Sequence, residues 1–223
     1  GAVWTLGPLI HNRIVTDSLA ARGVSIAETP EQARGQALVI RSHGVTAQVM
    51  DEARKACAQV IDATCPFVAK IQALAAAVSQ DGALVVLGDK NHPEVMGIMG
   101  HARCAVYACA DFAEADALFA AGKIPADERT AVVTQTTFDR GKFTEYSRKI
   151  REKYSRVKIY DTICNATSER QKNAEELAKR AALMIVVGGR RSSNTAKLAE
   201  ICARRCKTAL VESADEIPRQ ILS

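Results

Sequence analysis

The sequence predicts an α/β protein assembled from three small βαβ units, and two observations carry this prediction. Short apolar, β-branched runs alternate with helical stretches rich in Ala, Glu, Lys and Arg, which is typical of parallel strands joined by helices. The chain also repeats itself: Asp62-Ala-Thr-Cys65 and Asp161-Thr-Ile-Cys164 each precede a helical stretch, an apolar strand and a polar loop. Self-similarity at a long period indicates stacked or symmetrically arranged units.

The elements follow from this alternation in chain order. The predicted strands are Ala2–Leu6, Ala37–Arg41, Gln59–Asp62, Leu84–Gly88, Ala105–Ala108, Ala131–Thr134, Lys158–Asp161 and Met184–Gly188. The predicted helices are Arg13–Arg22, Ala47–Cys57, Pro66–Ser79, Arg140–Tyr154, Glu169–Ala181 and Thr195–Cys206. A partial third copy of the repeat, Ala37–Arg41 with its following loop, lies upstream. We place the domain boundaries at the two Asp-x-x-Cys turns, which gives domains 1–64, 65–161 and 162–223.

Composition narrows the classes of partner. The 223 residues carry a formal charge of +5, but Lys and Arg are scattered among 25 acidic residues, which favours small anionic ligands over nucleic acid. No apolar run is long enough to span a membrane, and no signal peptide is evident, so we expect no membrane partner. Seven cysteines, an odd number in a chain large enough to form a core, argue against a disulfide scaffold and favour the cytoplasm.

Polar loops follow most of the predicted strands, where ligands bind in open α/β sheets. Three of the four histidines, His11, His43 and His92, lie in such loops, and imidazole N–H groups donate well to phosphate oxygens. A single loop histidine is usually a surface residue, but three at equivalent strand ends favour an anion site. His101 lies in a less patterned stretch, and we expect it to be structural.

The segment Gly188–Thr195 also suggests an anion site, because it joins a strand to a helix. Free backbone N–H groups and the helix dipole hold phosphate in that setting, and Ser192, Ser193 and Asn194 add side-chain donors. The segment has neither Walker nor dinucleotide glycine spacing, so ATP and dinucleotides are not indicated. The alternative is an ordinary helix capped by Ser or Asn.

Further chemistry is indicated by a carboxylate and by the cysteines. Glu94 follows His92 in a polar loop, the pairing that a proton donor needs, and the threonine hydroxyls of the segment 134–137 could relay the proton. Cys65 and Cys164 end strand-like runs, unlike the other five cysteines. Cys202 and Cys206 are one helical turn apart and could bind a metal, but a packing role is preferred.

Seven motifs in one order carry a family resemblance: GPLIHN, RSHGV, DATCP, HPEVMG, TQTT, DTICNATSERQ and GGRRSSNT. They resemble the LytB family, the 4-hydroxy-3-methylbut-2-enyl diphosphate reductases that end the non-mevalonate isoprenoid pathway, from about Gly7 to Thr195. The family implies a pseudo-threefold trefoil of three α/β units around a central [4Fe-4S] cluster. It further implies reductive dehydroxylation of an allylic diphosphate to isopentenyl and dimethylallyl diphosphate, with reduced ferredoxin or flavodoxin as electron donor.

The resemblance also assigns roles to individual residues. It implies that Cys65 and Cys164 are two of the three cluster ligands, that Glu94 is the proton donor, and that Thr136 and His92 act beside it. The implied substrate-binding residues are His11, His43, His92, Thr136, Ser192, Ser193 and Asn194.

Three departures from the family pattern accompany these roles. The family's first cysteine ligand precedes GPLIHN, and a second diphosphate-binding serine lies near the family's C-terminus. We expect both to fall outside this stretch of sequence. Arg191 stands where the family usually has Asn. Two alternatives stay open: a catalytically silent fragment that still binds diphosphate, and a hydrolase holding zinc on Cys65, Cys164 and a histidine.

Overall fold

The computed structural model describes residues 2–217. Its first sheet is four-stranded and parallel, with the strand order β2-β1-β3-β4. Its elements are β1 (Val3–Leu6), α1 (Arg13–Ala21), β2 (Val24–Ala27), β3 (Ala37–Ile40), α2 (Ala47–Ala56) and β4 (Gln59–Asp62), with a 3₁₀ helix over Pro30–Ala33. Leu6, Leu38 and Ile40 are buried together with Ala53 from α2. The apolar runs of the sequence therefore form the core of this sheet.

The second sheet is also parallel, in the order β6-β5-β7-β8. Its elements are α3 (Pro66–Ala77), β5 (Ala83–Leu87), α4 (Pro93–Met99), β6 (Ala105–Cys109), α5 (Phe112–Ala120), β7 (Thr130–Thr134), α6 (Arg140–Lys153) and β8 (Lys158–Ile159). Every residue of β5 and β7 is buried, because one cluster around Val85 and Phe143 covers one face and another around Val86 and Ile71 covers the opposite face. Continuous apolar runs are expected in strands covered on both faces.

The third unit comprises α7 (Asn165–Ala178), β9 (Leu183–Val187), α8 (Ser193–Ala203), β10 (Lys207–Val211) and a 3₁₀ helix over Ala214–Glu216. Its two described strands pair in parallel. Cys202 is buried beside Val186, and Cys206 packs against the same cluster, so both cysteines pack in the core of this unit. No helix within residues 2–217 is both long and apolar enough to cross a bilayer.

The α/β class and the parallel strands are confirmed, and each sheet draws its strands from one of the ranges 1–64, 65–161 and 162–223. Those domain ranges themselves stay a prediction, and residues 218–223 lie outside the described part of the chain. The strands β2 and β10 and the helices α4 and α5 were not predicted. β2 is an edge strand, whose solvated face weakens the apolar signal. α4 begins at Pro93, and proline is favoured at the first helical position.

Two predicted helix starts were also wrong. α7 begins at Asn165 rather than Glu169, and α8 begins at Ser193 rather than Thr195. In both cases a polar side chain just before the helix, Cys164 or Ser192, caps the first turn. Glu94, Ser193 and Asn194 were expected in loops but lie in the first turns of helices.

Candidate active site

A cavity of about 530 Å³ lies among the loops that follow strands of all three sheets. It is lined by every residue singled out from the sequence as a site residue, namely His11, His43, Cys65, His92, Glu94, Thr136, Cys164, Ser192, Ser193 and Asn194. The chain brings these residues together from positions as far apart as 11 and 194 because carboxyl ends of parallel strands face the same edge of a sheet.

Three histidines form a cluster in this cavity. His11 follows β1, His43 follows β3, and His92 precedes α4. The ring centroids of His11 and His43 are 4.5 Å apart, and the His92 ring lies 5.8 Å from His11 and 5.4 Å from His43. One nitrogen from each ring lies within 4.8 Å of the other two, so all three rings can bind one small ligand.

The cluster is held in its neutral form. Burial, helped by the neighbouring histidines and by Arg41, lowers the pKa of His43 to about 3. Burial and the His11 ring lower the pKa of His92 to about 4. The pKa of His11 is also lowered, first by burial and then by Arg41 and Arg191. A neutral imidazole has one N–H donor and one acceptor, so each ring can donate one hydrogen bond.

The hydrogen bonds of His92 define its tautomer. The backbone N–H of Glu94 donates to Nδ1 of His92 at 3.1 Å, so the lone pair of that nitrogen is used. The neutral ring therefore carries its proton on Nε2, which remains a donor. In the second histidine, His43, Nδ1 is buried and has no hydrogen-bond partner among the described residues. Each ring thus has a nitrogen without a hydrogen-bond partner among the described residues.

Glu94 is a buried carboxyl group, only 3% exposed, in the first turn of α4. The backbone N–H of Thr136 donates to one carboxyl oxygen at 2.6 Å, and the Thr136 hydroxyl donates to the other at 2.8 Å. Burial raises the pKa of Glu94, and the two bonds from Thr136 act in the opposite direction. The group is therefore shifted toward the protonated form that a proton donor needs.

The two cysteines of the cavity each precede a helix. Cys65 is the N-cap of α3, and its backbone N–H donates to the carbonyl of Ser42 at 2.9 Å. Cys164 caps α7, where its Sγ accepts from the N–H of Thr167 at 3.3 Å. The N–H of Cys164 donates to the carbonyl of Thr136 at 3.1 Å. Both thiols are free of disulfides. Cys57, by contrast, directs its thiol toward the carbonyl of Pro30.

The third unit contributes the N-terminus of α8. Ser192 caps this helix by accepting from the N–H of Thr195 at 3.3 Å. The segment therefore does form the helix cap that was considered as the alternative to an anion site. The cap uses an acceptor position of Ser192 and leaves its hydroxyl proton free to donate to a ligand. Asn194 Oδ1 is buried without a partner among the described residues. A side chain at Gly189 would collide with the carbonyl of His11, so this loop needs glycine to approach the first unit.

Two lining residues, Thr137 and Arg170, and one residue behind the lining, Gln135, were not predicted as site residues. Gln135 is 3% exposed and donates to Ser193 Oγ at 3.2 Å, and the Thr137 hydroxyl lies 2.9 Å from the same oxygen. Arg170 is exposed and lines the cavity from α7. All three belong to quoted motifs, TQTT and DTICNATSERQ, and a rule that kept every polar member of these motifs would have found them. His101 lies elsewhere, with Nε2 3.1 Å from the Val45 carbonyl, consistent with a structural role.

Comparisons with known proteins identify relatives over nearly the whole chain. The family described as LytB protein matches residues 1–223. A 4-hydroxy-3-methylbut-2-enyl diphosphate reductase from Caldanaerobacter subterraneus subsp. tengcongensis is 37% identical, over 99% of this chain and 76% of that protein. The protein of the same name from Alkaliphilus oremlandii is 38% identical, over 99% and 78%.

Solved structures agree. The E-1-hydroxy-2-methyl-but-2-enyl-4-diphosphate reductase from Plasmodium falciparum superposes with a TM-score of 0.89 at 27% identity, covering 99% of this chain and 70% of that chain. A second structure, described as (E)-4-hydroxy-3-methyl-but-2-enyl diphosphate reductase, the terminal enzyme of the non-mevalonate pathway, gives 0.68 at 34% identity, covering 99% and 78%. The chain belongs to the LytB family.

Proposed function

We propose that the protein is a 4-hydroxy-3-methylbut-2-enyl diphosphate reductase, which removes the hydroxyl group of this allylic diphosphate reductively in isoprenoid biosynthesis. The observation that carries the proposal is the set of residues that line one cavity. Neutral imidazole donors, a buried carboxyl group with a raised pKa and two free thiols all line it. Family membership agrees with this reading, since the relatives carry that name.

The diphosphate would bind where the histidines face the N-terminus of α8. The rings of His11, His43 and His92 offer N–H donors, and Ser192, Ser193 and Asn194 offer hydroxyl and amide donors. Backbone N–H groups at a helix N-terminus attract phosphate as well. Many donors from separate elements suit a ligand with several charged oxygens.

Glu94 would deliver the proton. Its carboxyl group is bound at both oxygens by Thr136, so its orientation is fixed, and burial favours its protonated form. Thr136 also lines the cavity, so its hydroxyl is within reach of both the carboxyl group and a ligand. The reduction consumes two electrons and two protons and releases one water. Glu94 would supply the proton that leaves with the hydroxyl oxygen.

The donor set fits an iron–sulfur cluster. Iron–sulfur clusters are held by cysteine thiolates, and Cys65 and Cys164 reach the cavity from two units as free thiols. The N–H of Thr167 in the first turn of α7 donates to Cys164 Sγ, which stabilises negative charge on sulfur. With the family's third cysteine ligand, Cys65 and Cys164 would hold a [4Fe-4S] cluster, which would supply a Lewis acid and a path for electrons from reduced ferredoxin or flavodoxin. The histidines are the poorer metal site, because His92 Nδ1 already accepts from a backbone N–H.

The test is anaerobic reduction of 4-hydroxy-3-methylbut-2-enyl diphosphate by the cluster-loaded protein, with Glu94→Gln as the variant. Gln keeps the shape of the side chain but cannot deliver the proton, so turnover should fall by about 10²–10⁴. Binding of inorganic diphosphate and cluster absorption should stay unchanged.

Glu145→Gln is the matched control, because Glu145 is half-exposed on α6 and pairs with Lys149. It should keep parental turnover. Near-normal reduction by Glu94→Gln would remove this residue from the mechanism. A parent protein that takes up the cluster and binds diphosphate without reducing the substrate would instead support the catalytically silent alternative.

A further inference from the structure

Arg41 lies directly behind the anion site without lining its cavity. It follows β3 and precedes Ser42 and His43, which do line the cavity. Its guanidinium packs against the backbone of Gly7, where φ is +68° and where a side chain would collide with Nη1 of Arg41. The glycine that begins the loop to His11 therefore makes room for this guanidinium.

Within residues 2–217 the guanidinium has no carboxylate at ion-pair distance. Arg41 Nε is buried and has no hydrogen-bond partner in this part of the chain. Burial is the larger cause and lowers the pKa of Arg41, and the charge of Glu28, an exposed residue, acts in the opposite direction. Arginine nonetheless stays charged in proteins. A partly buried cation without a partner destabilises a fold, so its position calls for a ligand that compensates the charge.

The charge of Arg41 reaches the histidine cluster. It contributes to the lowered pKa of His11, His43 and His92, although burial is the larger cause at each ring. Arg41 thus adds a permanent positive charge behind three neutral hydrogen-bond donors, beside the exposed Arg170 and Arg191. Such a site attracts an anion over the whole physiological pH range without first taking up a proton.

We propose that Arg41 is a positioning residue for the diphosphate group, acting through the histidine cluster as the fixed charge of the anion site. This inference rests on the proposed function, because the anion is the diphosphate of the proposed substrate. Arg41 supplies long-range attraction and adds to the effect of burial, which is the larger cause of the neutral, N–H-donating form of the imidazoles. The histidines, Ser192 and Asn194 make the direct hydrogen bonds.

Calorimetric binding of inorganic diphosphate tests the proposal with two variants. Arg41→Met keeps the chain length and removes the charge, and it should weaken binding by about tenfold to thirtyfold. Arg41→Lys keeps the charge and should recover most of the affinity. Loss of affinity with rising salt should be shallower for Arg41→Met than for the parent, because one charge fewer is screened. Arg54→Met is the control, since Arg54 is exposed on α2 and pairs only loosely with Asp51.

Thermal unfolding without ligand separates this role from a structural one. An uncompensated cation destabilises the free protein, so Arg41→Met should unfold at the parental temperature or above it. A variant that is unfolded or clearly less stable would assign Arg41 a structural role and overturn the proposal. Equal losses of affinity in the Met and Lys variants would overturn it too.

The remaining outcomes distinguish this proposal from the proposed function. Parental affinity in Arg41→Met would overturn the role of Arg41 and leave the histidine anion site standing. Failure of the parent protein itself to bind diphosphate would overturn both.

Discussion

At the scale of single residues, the histidines show how burial sets chemistry. His43 and His92 have pKa values of about 3 and about 4, whereas an unfolded histidine titrates near 6.5. Between pH 6.5 and about 4 the unfolded chain therefore binds protons that the folded chain does not. Stability must fall as the pH drops through this window. Glu94 acts in the opposite direction, because its raised pKa makes the folded chain hold a proton that the unfolded chain has lost.

The prediction for His43 is a change in the pH dependence of unfolding. Lowering the pH from 7.5 to 5 should destabilise the parent through His43 by about 2 kcal/mol, and His43→Gln should lack this part of the loss. Denaturant unfolding at a series of pH values measures both curves. Parallel curves for parent and variant would show that His43 is not held neutral in the fold.

Some features of the site could be predicted from the sequence, and others could not. His11, His43 and His92 stood out because each follows an apolar run, where carboxyl ends of strands converge. The hydrogen bonds between Glu94 and Thr136 were harder to predict, since the two residues are 42 positions apart and meet only through the pairing of β5 with β7. Arg41 was not singled out, because neither its burial nor the absence of a carboxylate at ion-pair distance within residues 2–217 is visible in a sequence.

At the scale of elements, the site is built on helix N-caps. Cys65, His92, Cys164 and Ser192 are the N-caps of α3, α4, α7 and α8, and the last three accept a hydrogen bond from the first turn of their helix. A capping side chain is held in place by the helix that it caps. The same residues thereby gain a fixed orientation toward the cavity. This also explains why loops were predicted where first helical turns are found.

A fifth cap, Asp139, joins two units. It accepts from the N–H of Lys142 at the start of α6 and from Arg204 at the end of α8, at 2.7 Å. Burial alone would raise the pKa of Asp139, but the Lys142 N–H and Arg204 outweigh it and lower the pKa. The side chain is 2% exposed, so its loss affects both a helix cap and a contact between the second and third units.

The prediction for Asp139→Ala is a loss of about 2–3 kcal/mol in the free energy of unfolding, from the cap and the charged contact together. Asp139→Asn keeps a capping oxygen and should lose roughly half as much. Asp111→Ala is the control: Asp111 caps α5 through the N–H of Glu114 but forms no ion pair within residues 2–217, so about 1 kcal/mol is expected. Denaturant midpoints measure all three. Equal losses in Asp139→Ala and Asp111→Ala would mean that the contact with Arg204 contributes nothing.

At the scale of the whole molecule, one cavity depends on three sheets. The first unit approaches the third where Gly189 meets the His11 carbonyl. The third meets the second where Ser193 contacts Gln135 and Thr137. The repeated Asp-x-x-Cys turns predicted this convergence, because repeated units arranged about an axis bring equivalent loops together. A ligand bound there should therefore stabilise all three units at once, by an amount set by its concentration relative to Kd.

The prediction at this scale is that substitutions in the third unit reduce the protection that a ligand gives to the first unit. Ser192→Ala combined with Asn194→Ala removes two donors of the third unit, each worth about 1.5–3 kcal/mol toward a charged ligand, so the affinity for diphosphate should fall at least about tenfold. Hydrogen exchange should show that diphosphate protects residues 10–12 and 42–44 of the first unit in the parent. At the same ligand concentration, this protection should be lost in the double variant.

The matched control is Ser155→Ala combined with Asn173→Ala, which makes the same two substitutions at exposed positions away from the cavity. This variant should keep both the affinity and the distant protection. Because Ser192 also caps α8, the ligand-free stability of each variant must be measured beside its affinity. Reduced stability with unchanged affinity in Ser192→Ala/Asn194→Ala would show that the segment is only a helix cap. Reduced affinity with intact protection of residues 10–12 would show that the first unit binds the anion independently of the third.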